Sequence, residues 1–240
     1  LKEANKQLKD KDRLKDEFIN IAAHELRTPI QPILGLSQIL LRSLKKVNGK
    51  TDKEGEQSLE AIIRNSKKLF RLSQDILDVS KIESHSLDLK KERFNLNDVI
   101  LDSVKDYMNQ AEKEGKRDIK LLYEPKEDIF VEADRGRLNQ VVSNLISNAI
   151  KFTKEGTIFV NAEKKDKEQV IVSIKDSGSG IDPQIQPRLF TKFATKSHTG
   201  TGLGLFISKN IIEAHGGKIW AENNSNGKGA AFSFSLPITK

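Results

Sequence analysis

The segment His24-Glu25-Leu26-Arg27-Thr28-Pro29-Ile30 places an imidazole where it can act as a nucleophile. At about 100° per residue of helix, Phe18, Ala22, Leu26, Pro29, Ile33, Leu36, Leu40 and Leu44 fall on one apolar stripe. His24 points away from that stripe, among Glu17, Asn20, Arg27, Thr28, Gln31 and Arg42. A histidine on this face is either a solvated surface residue or a reactive one, because packing gives it no role. With an ordinary pKa of about 6.5, the ring is largely neutral at neutral pH and offers a lone pair for attack on phosphorus. Thr28, one turn on at i+4, shares the face of His24, whereas Glu25 at i+1 diverges from it. Pro29 removes a helix hydrogen bond and should bend the helix just past His24.

Two glycine clusters suit phosphate binding. Asp176-Ser177-Gly178-Ser179-Gly180-Ile181 follows an apolar strand, and Gly200-Thr201-Gly202-Leu203-Gly204-Leu205 runs into a helix. Glycines at this density let backbone N–H groups approach phosphate oxygens, and the second cluster adds the positive end of a helix dipole. Neither is a Walker A loop, since no Gly-Lys-Ser/Thr follows, and either one alone also reads as an ordinary turn. The third group lies on the stretch Asp134 to Thr153. There Leu138, Val141, Val142, Leu145 and Ala149 make a buried face, while Gln140, Asn144, Asn148 and Lys151 recur on another. Asparagine is a mediocre helix former, so two on one face need partners. Those partners are either a neighbouring helix or a hydrated Mg²⁺ and phosphate, with the amide oxygen on the metal and Lys151 on the phosphate.

Two different periodicities position these groups. Residues 1–83 read as two long helices interrupted by the glycine-bearing, non-apolar stretch 48–55. Leu1, Ala4 and Leu8 are in heptad phase, as expected for a coiled coil entering from an upstream region. In the second helix Leu59, Ile62, Ser66, Leu69, Ser73, Ile76 and Ser80 are near heptad spacing, and Ile63, Phe70 and Leu77 widen the face. Two helices cannot cover faces this wide, so a second copy completing a four-helix bundle, and hence a homodimer, is expected. After a hinge at 84–93, the pattern predicts strands at 118–123, 129–132, 157–163, 169–175, 217–222 and 230–236. It predicts helices at 97–114, 134–151 and 203–215, giving an α+β sandwich over 94–240.

Composition narrows the function classes. No apolar run approaches the roughly eighteen residues of a membrane span, and no signal segment opens the chain, so a cytoplasmic location is expected. The parent protein is left free to be membrane-anchored. With no cysteine and four scattered histidines, disulfides and structural zinc are not expected. The 41 Lys and Arg against 34 Asp and Glu suit a polyphosphate ligand or an acidic partner, but they alternate with acids too evenly for a nucleic-acid surface.

With these residues in place, the chain resembles a sensor histidine kinase of two-component signalling along essentially its whole length. Phe18 to Pro29 matches the family's H box, Asp134 to Thr153 the N box, Asp176 to Gly180 the G1 box, and Gly200 to Leu205 the G2 box, with Phe190 and Phe193 in the place of an F box. The resemblance implies a dimerisation and phosphoacceptor hairpin over 1–83 and a Bergerat-type ATP-binding domain over 94–240. It implies that His24 accepts the γ-phosphoryl group of ATP and Glu25 helps remove its proton. Asn148 would bind Mg²⁺ with Asn144 beside it, Lys151 would touch phosphate, and Phe152 would pack along the adenine. Asp176 would accept from the adenine amino group, with Gly178 and Gly180 in its loop, and Lys196, Gly200, Thr201, Gly202, Leu203 and Gly204 would form the lid over the phosphates. The implied partner is a response-regulator receiver domain, and the pattern His24-Glu25-x-x-Thr28 resembles that of kinases that also dephosphorylate it. Ala23 stands where the family often has serine, and the lid holds no arginine. Two rivals share the fold: a gyrase or MutL type of ATP hydrolase, and an ATP-gated module without catalysis. The hydrolases use a glutamate base four residues before the metal asparagine, and here that position is Asn144, whose amide cannot take a proton from water.

Overall fold

A computed structural model describes residues 26, 28–40, 53–113, 118–166, 168–195, 201–225 and 227–238. The expected coiled coil at the start, His24 and Glu25, and Lys196 and Gly200 of the lid lie outside the described residues. The chain divides into two compact units, Leu1–Ser80 and Lys81–Lys240. Among the described residues no helix is long and apolar enough to cross a membrane.

The first unit is helical. Residues 28–40 form helix α1, and Lys53–Glu83 forms α2, whose last turn crosses into the second unit. Helix α2 therefore begins inside the stretch 48–55 read as an interruption. Gly55 falls in its first turn, where backbone N–H groups have no intrahelical acceptor in any case. On α1 the predicted stripe is the covered one: Pro29 is buried and Leu26, Ile33, Leu36 and Leu40 are half-buried, while Ile30, Leu34 and Ile39 are exposed. On α2 the wide apolar face resolves into two seams. Ser58, Ile62, Asn65, Leu69, Leu72, Ile76 and Val79 are buried or half-buried, and Leu59, Ile63, Phe70 and Leu77 stay exposed one position further on.

The second unit is a layer of helices on a mixed sheet. Its strands are β2 (Ile119–Tyr123), β4 (Gly156–Lys164), β5 (Gln169–Lys175), β7 (Ala230–Pro237) and β6 (Lys218–Asn223), in that spatial order. Strands β2 and β4 run parallel and the other neighbours antiparallel. Alternation sends Ile158, Val160 and Ala162 of β4 and Val170, Val172 and Ile174 of β5 inward. The register stacks Val160, Ile174 and Phe232 in one rung and Ala162, Val172 and Phe234 in the next. Over this face pack α3 (Leu96–Lys113), α4 (Arg135–Phe152) and α5 (Gly204–Ala214). Leu138, Val141, Val142, Leu145, Ile146, Ala149 and Ile150 of α4 are buried against them. Asp134 starts α4 as its N-cap, accepting from the backbone N–H of Arg137 at 3.0 Å.

A small second sheet pairs β1 (Glu92–Asn95) antiparallel with β3 (Phe130–Ala133). Strand β1 takes Glu92 and Arg93 out of the hinge expected at 84–93. Four residues with only Phe94 buried are too short for alternation to announce a strand. Further back, the backbone N–H of Lys90 donates to the Asp134 carboxylate at 2.9 Å, so the fold of the second unit already holds that part of the expected hinge.

Candidate nucleotide-binding site

Helix α4 carries the polar face of the site, and the two glycine clusters close on it from either end. Near its C-terminus, a Cβ at Gly178 would collide with the carbonyl of Phe152, so the first cluster sits directly against the helix end. About two turns earlier, a Cβ at Gly204 would collide with the side-chain amide of Asn144, bringing the start of α5 against the same helix. Glycine is the residue that allows both approaches. Between these contacts lie Asn148, half-buried, and Lys151 and Phe152, exposed, with the Lys151 ammonium 5.2 Å from the Phe152 ring centre. Among the described residues the Asn148 amide makes no hydrogen bond within the protein, which leaves its oxygen available to a ligand.

Asn144 takes the other course. Its Nδ2 donates to Ser208 Oγ on α5 at 3.0 Å, so part of its amide is spent tying the two helices together, as the helix-to-helix alternative for this face anticipated. That partner lies 64 residues away in sequence and no spacing pattern pointed to it.

Asp176, at the end of β5, is 5% exposed. Its Oδ1 accepts from the backbone N–H groups of Gly178 at 2.8 Å and Ala230 at 3.3 Å, leaving Oδ2 as the oxygen free to meet a ligand. Burial pushes this carboxyl up from its ordinary value, and the two backbone donors oppose the shift. Beyond it, Ser177 Oγ accepts from the Thr157 N–H at 3.1 Å and donates to the Glu155 carbonyl at 3.4 Å, fastening the loop to the start of β4.

The second cluster shapes an anion site at the start of α5. Leu203 is the N-cap, and no side chain caps the helix. Its first-turn N–H groups are therefore not consumed by a capping side chain. The side chain of Leu203 is buried, so only its backbone can serve a ligand, and its N–H donates to Thr201 Oγ1 at 3.2 Å. Gly202 accepts at 3.0 Å from the N–H of Phe193, tying these two residues together. Phe193 holds φ 61°, an uncommon left-handed conformation for an aromatic residue and a strain of the kind that gathers at functional sites. Of the other expected site residues, Thr28 is exposed on α1.

Residue spacing did not mark four further side chains that brace the site. Ser208 bonds Asn144, Asn223 and Asn224 bond the Asp176–Ile181 loop, and His215 joins the helices. His215, 4% exposed, accepts the N–H of Asp134 on Nε2 at 2.9 Å and places Nδ1 2.8 Å from the Ile211 carbonyl. These partners require the neutral ring with its proton on Nδ1, and burial correspondingly lowers its pKa. Thr153, at the end of α4, has a buried hydroxyl with no partner among the described residues.

Two family descriptions match successive parts of the chain. Residues 133–240 match the family described as histidine kinase-, DNA gyrase B-, and HSP90-like ATPase, and residues 14–85 match the His Kinase A (phospho-acceptor) domain. The solved catalytic domain of the histidine kinase ThkA is 38% identical, covering 62% of this chain and 97% of that one, with a TM-score of 0.56. The chain belongs to the sensor histidine kinases. ThkA solved in complex with the response regulator protein TrrA is 31% identical over 100% of this chain and 67% of that one, with a TM-score of 0.64. The sensor protein GacS of Pseudomonas syringae pv. syringae is 34% identical over 99% of this chain. The chain spans 26% of the length of that relative. In this histidine kinase, as in the family, a helical segment precedes an α/β sandwich.

Proposed function

We propose that this chain binds ATP between α4 and the two glycine clusters, transfers the γ-phosphoryl group to His24, and passes it to an aspartate of a response-regulator receiver domain. The observation that carries this reading is the α4 face itself, where Asn148 and Lys151 stand between the Gly178 and Gly204 approaches, with the half-committed carboxylate of Asp176 at the Gly178 end. Asp176 Oδ2 is suited to accept from the adenine amino group, Phe152 to lie along the base, and the uncapped N–H groups of α5 with Thr201 and Gly202 to meet the phosphates. Lys196 and Gly200 belong to the same lid by sequence. Asn148 offers the oxygen that would hold Mg²⁺, which supplies charge neutralisation on the phosphates when bound. A single amide oxygen fits a hydrated Mg²⁺, which keeps several of its waters and is held largely by the phosphates.

In the transfer, an imidazole nitrogen of His24 attacks the γ-phosphorus in line, the bond to the β–γ bridging oxygen breaks, and ADP leaves. Glu25 takes the ring proton. Such a loose transition state asks chiefly for positioning and charge neutralisation, which Lys151 and the lid amides provide. A regulator aspartate then attacks the phosphohistidine phosphorus and releases the imidazole. The exposed apolar residues of both helices support a homodimer built on that surface, and a second copy completing a four-helix bundle fits them. Hydrolysis of the gyrase type is disfavoured because Asn144 bonds Ser208 and the face carries no carboxylate base. Incubation with Mg²⁺ and γ-labelled ATP should give acid-labile, alkali-stable label that His24→Gln abolishes; persistent label in that variant sinks the assignment.

The exposure of Thr28 on α1 supports a second activity, orientation of a water against the regulator's aspartyl phosphate. Thr28→Ala should slow that dephosphorylation at least about tenfold while leaving autophosphorylation intact. Equal loss of both activities would count against it.

A further inference from the structure

The Asp176–Ile181 loop contains two glycines and two serines, a composition that leaves a free loop many conformations. Its two ends hang from adjacent residues where β6 runs into the turn before β7. At the first end, Asn224 Nδ2 donates to the Asp176 carbonyl at 2.8 Å and also to the Lys228 carbonyl at 2.8 Å. At the other, Asn223 engages both backbone groups of Ile181: the Ile181 N–H donates to Asn223 Oδ1 at 2.6 Å, and Asn223 Nδ2 donates to the Ile181 carbonyl at 3.1 Å. That pair is a β-ladder rung made by a side chain. It also sets the residue before it, because Gly180 holds φ +75° and a Cβ there would stand 2.9 Å from Asn223 Oδ1. Asn223 is itself exposed, so no packing demand explains an amide satisfied on both its groups at this place.

We propose that Asn223 is a positioning residue of the nucleotide site, whose amide locks the Gly180–Ile181 end of the loop so that Asp176 and the loop amides meet the nucleotide already ordered. The inference rests on the ATP site proposed above. Losing the clamp returns conformational freedom to the free protein and charges its loss to binding, so affinity falls while the chemical step does not.

The test measures ATP binding by calorimetry and autophosphorylation kinetics on the whole chain for wild type, Asn223→Ala, Asn223→Asp and Asp176→Asn. Asn223→Ala should weaken ATP binding and raise KM about tenfold, the worth of one net hydrogen-bonded pair, with kcat within about twofold. Asn223→Asp keeps the oxygen that accepts from Ile181 and should fall between the two. Asp176→Asn should lose ATP binding; if it binds like wild type, the site reading itself fails and the proposal with it. If Asp176→Asn loses binding while Asn223→Ala binds like wild type, the site stands and the proposal is overturned. A loss confined to kcat, or, should Asn223→Ala fail to fold, an Asn223→Asp that binds like wild type, overturns it as well.

Discussion

Phe70 on α2 is 65% exposed, whereas Phe234 on β7 is fully buried, and the two residues stand for the units that carry them. In the helical unit, each helix turns one apolar seam inward and leaves another bare: Ile30, Leu34 and Ile39 on α1, Leu59, Ile63, Phe70 and Leu77 on α2. In the ATP-binding unit, Leu96, Ile100, Leu138, Leu145, Ile146, Ile158, Ile174, Ile207 and Ile211 are sealed between helices and sheet. A sheet with a helical layer closes a core within one chain, while two helices have too few neighbours to do so. The proposed nucleotide site thus stands where the core is complete, and the apolar surface left bare is on the helical unit.

The strongest way to break that contrast is to open the closed core. Leu145→Ala should cost the ATP-binding unit about 2–5 kcal/mol, lowering its calorimetric transition and leaving the helical transition in place. A single transition that moves as a whole would show that the units are not independent. Next, Phe70→Glu sets a charge in the bare seam and should raise the dimer dissociation constant about a hundredfold, read by sedimentation, without changing ATP affinity. An unchanged dimer would mean the seam is not the interface.

One group in each unit, Asp75 and His215, should respond to pH with opposite sign. Burial first, then the neighbouring Asp78, raises Asp75 on α2 from 3.8 to about 6, against the pull of Arg71. Its folded value is above its unfolded one, so its contribution is present at low pH and lost as pH rises through about 6. His215 is depressed below 6.5, chiefly by burial and further by Lys91, with the Ile211 carbonyl and Asp134 opposing. Its contribution is present above 6.5 and is lost as pH falls through the folded value. His215→Ala, which also orphans the Asp134 N–H, should cost about 1–3 kcal/mol above pH 6.5 and progressively less in acid. The difference from wild type isolates this residue from Asp176, whose raised carboxyl acts in the opposite direction in the same unit. Asp75→Asn should stabilise the helical unit at pH 8 and do little below pH 3.8, where the carboxyl is protonated in both states, read from denaturant midpoints. The smallest effect is expected for Thr153→Val. Removing a buried hydroxyl without a partner should leave stability unchanged or higher by up to about 1 kcal/mol, and a larger loss would reveal a bound water.

Much of the ATP-binding unit was legible because its signals are local. Strand β5 matches the expected 169–175, and α4 buries the five positions its periodicity named. Strand β1 was not legible, since four residues with one buried side chain carry no period. The two seams of α2 were visible only as one wide face: Ile62, Leu69 and Ile76 share the heptad of Ile63, Phe70 and Leu77 one residue apart, and both seams are apolar.

Residue types and their spacing by themselves determined the chemistry on offer: amides and a lysine on one side of α4, and glycines where backbone must come close. These follow from covalent structure and helical period, which the chain carries along its length. Only the tertiary structure decided which amide is spent and which is offered. Asn144 is tied to Ser208, Asn148 is left open, and the loop after Asp176 is fastened by Asn223, 42 residues further on. Hydrogen bonds between groups so distant in sequence depend on where the folded backbone brings them, and that placement is set by the packing of the whole core rather than by any segment.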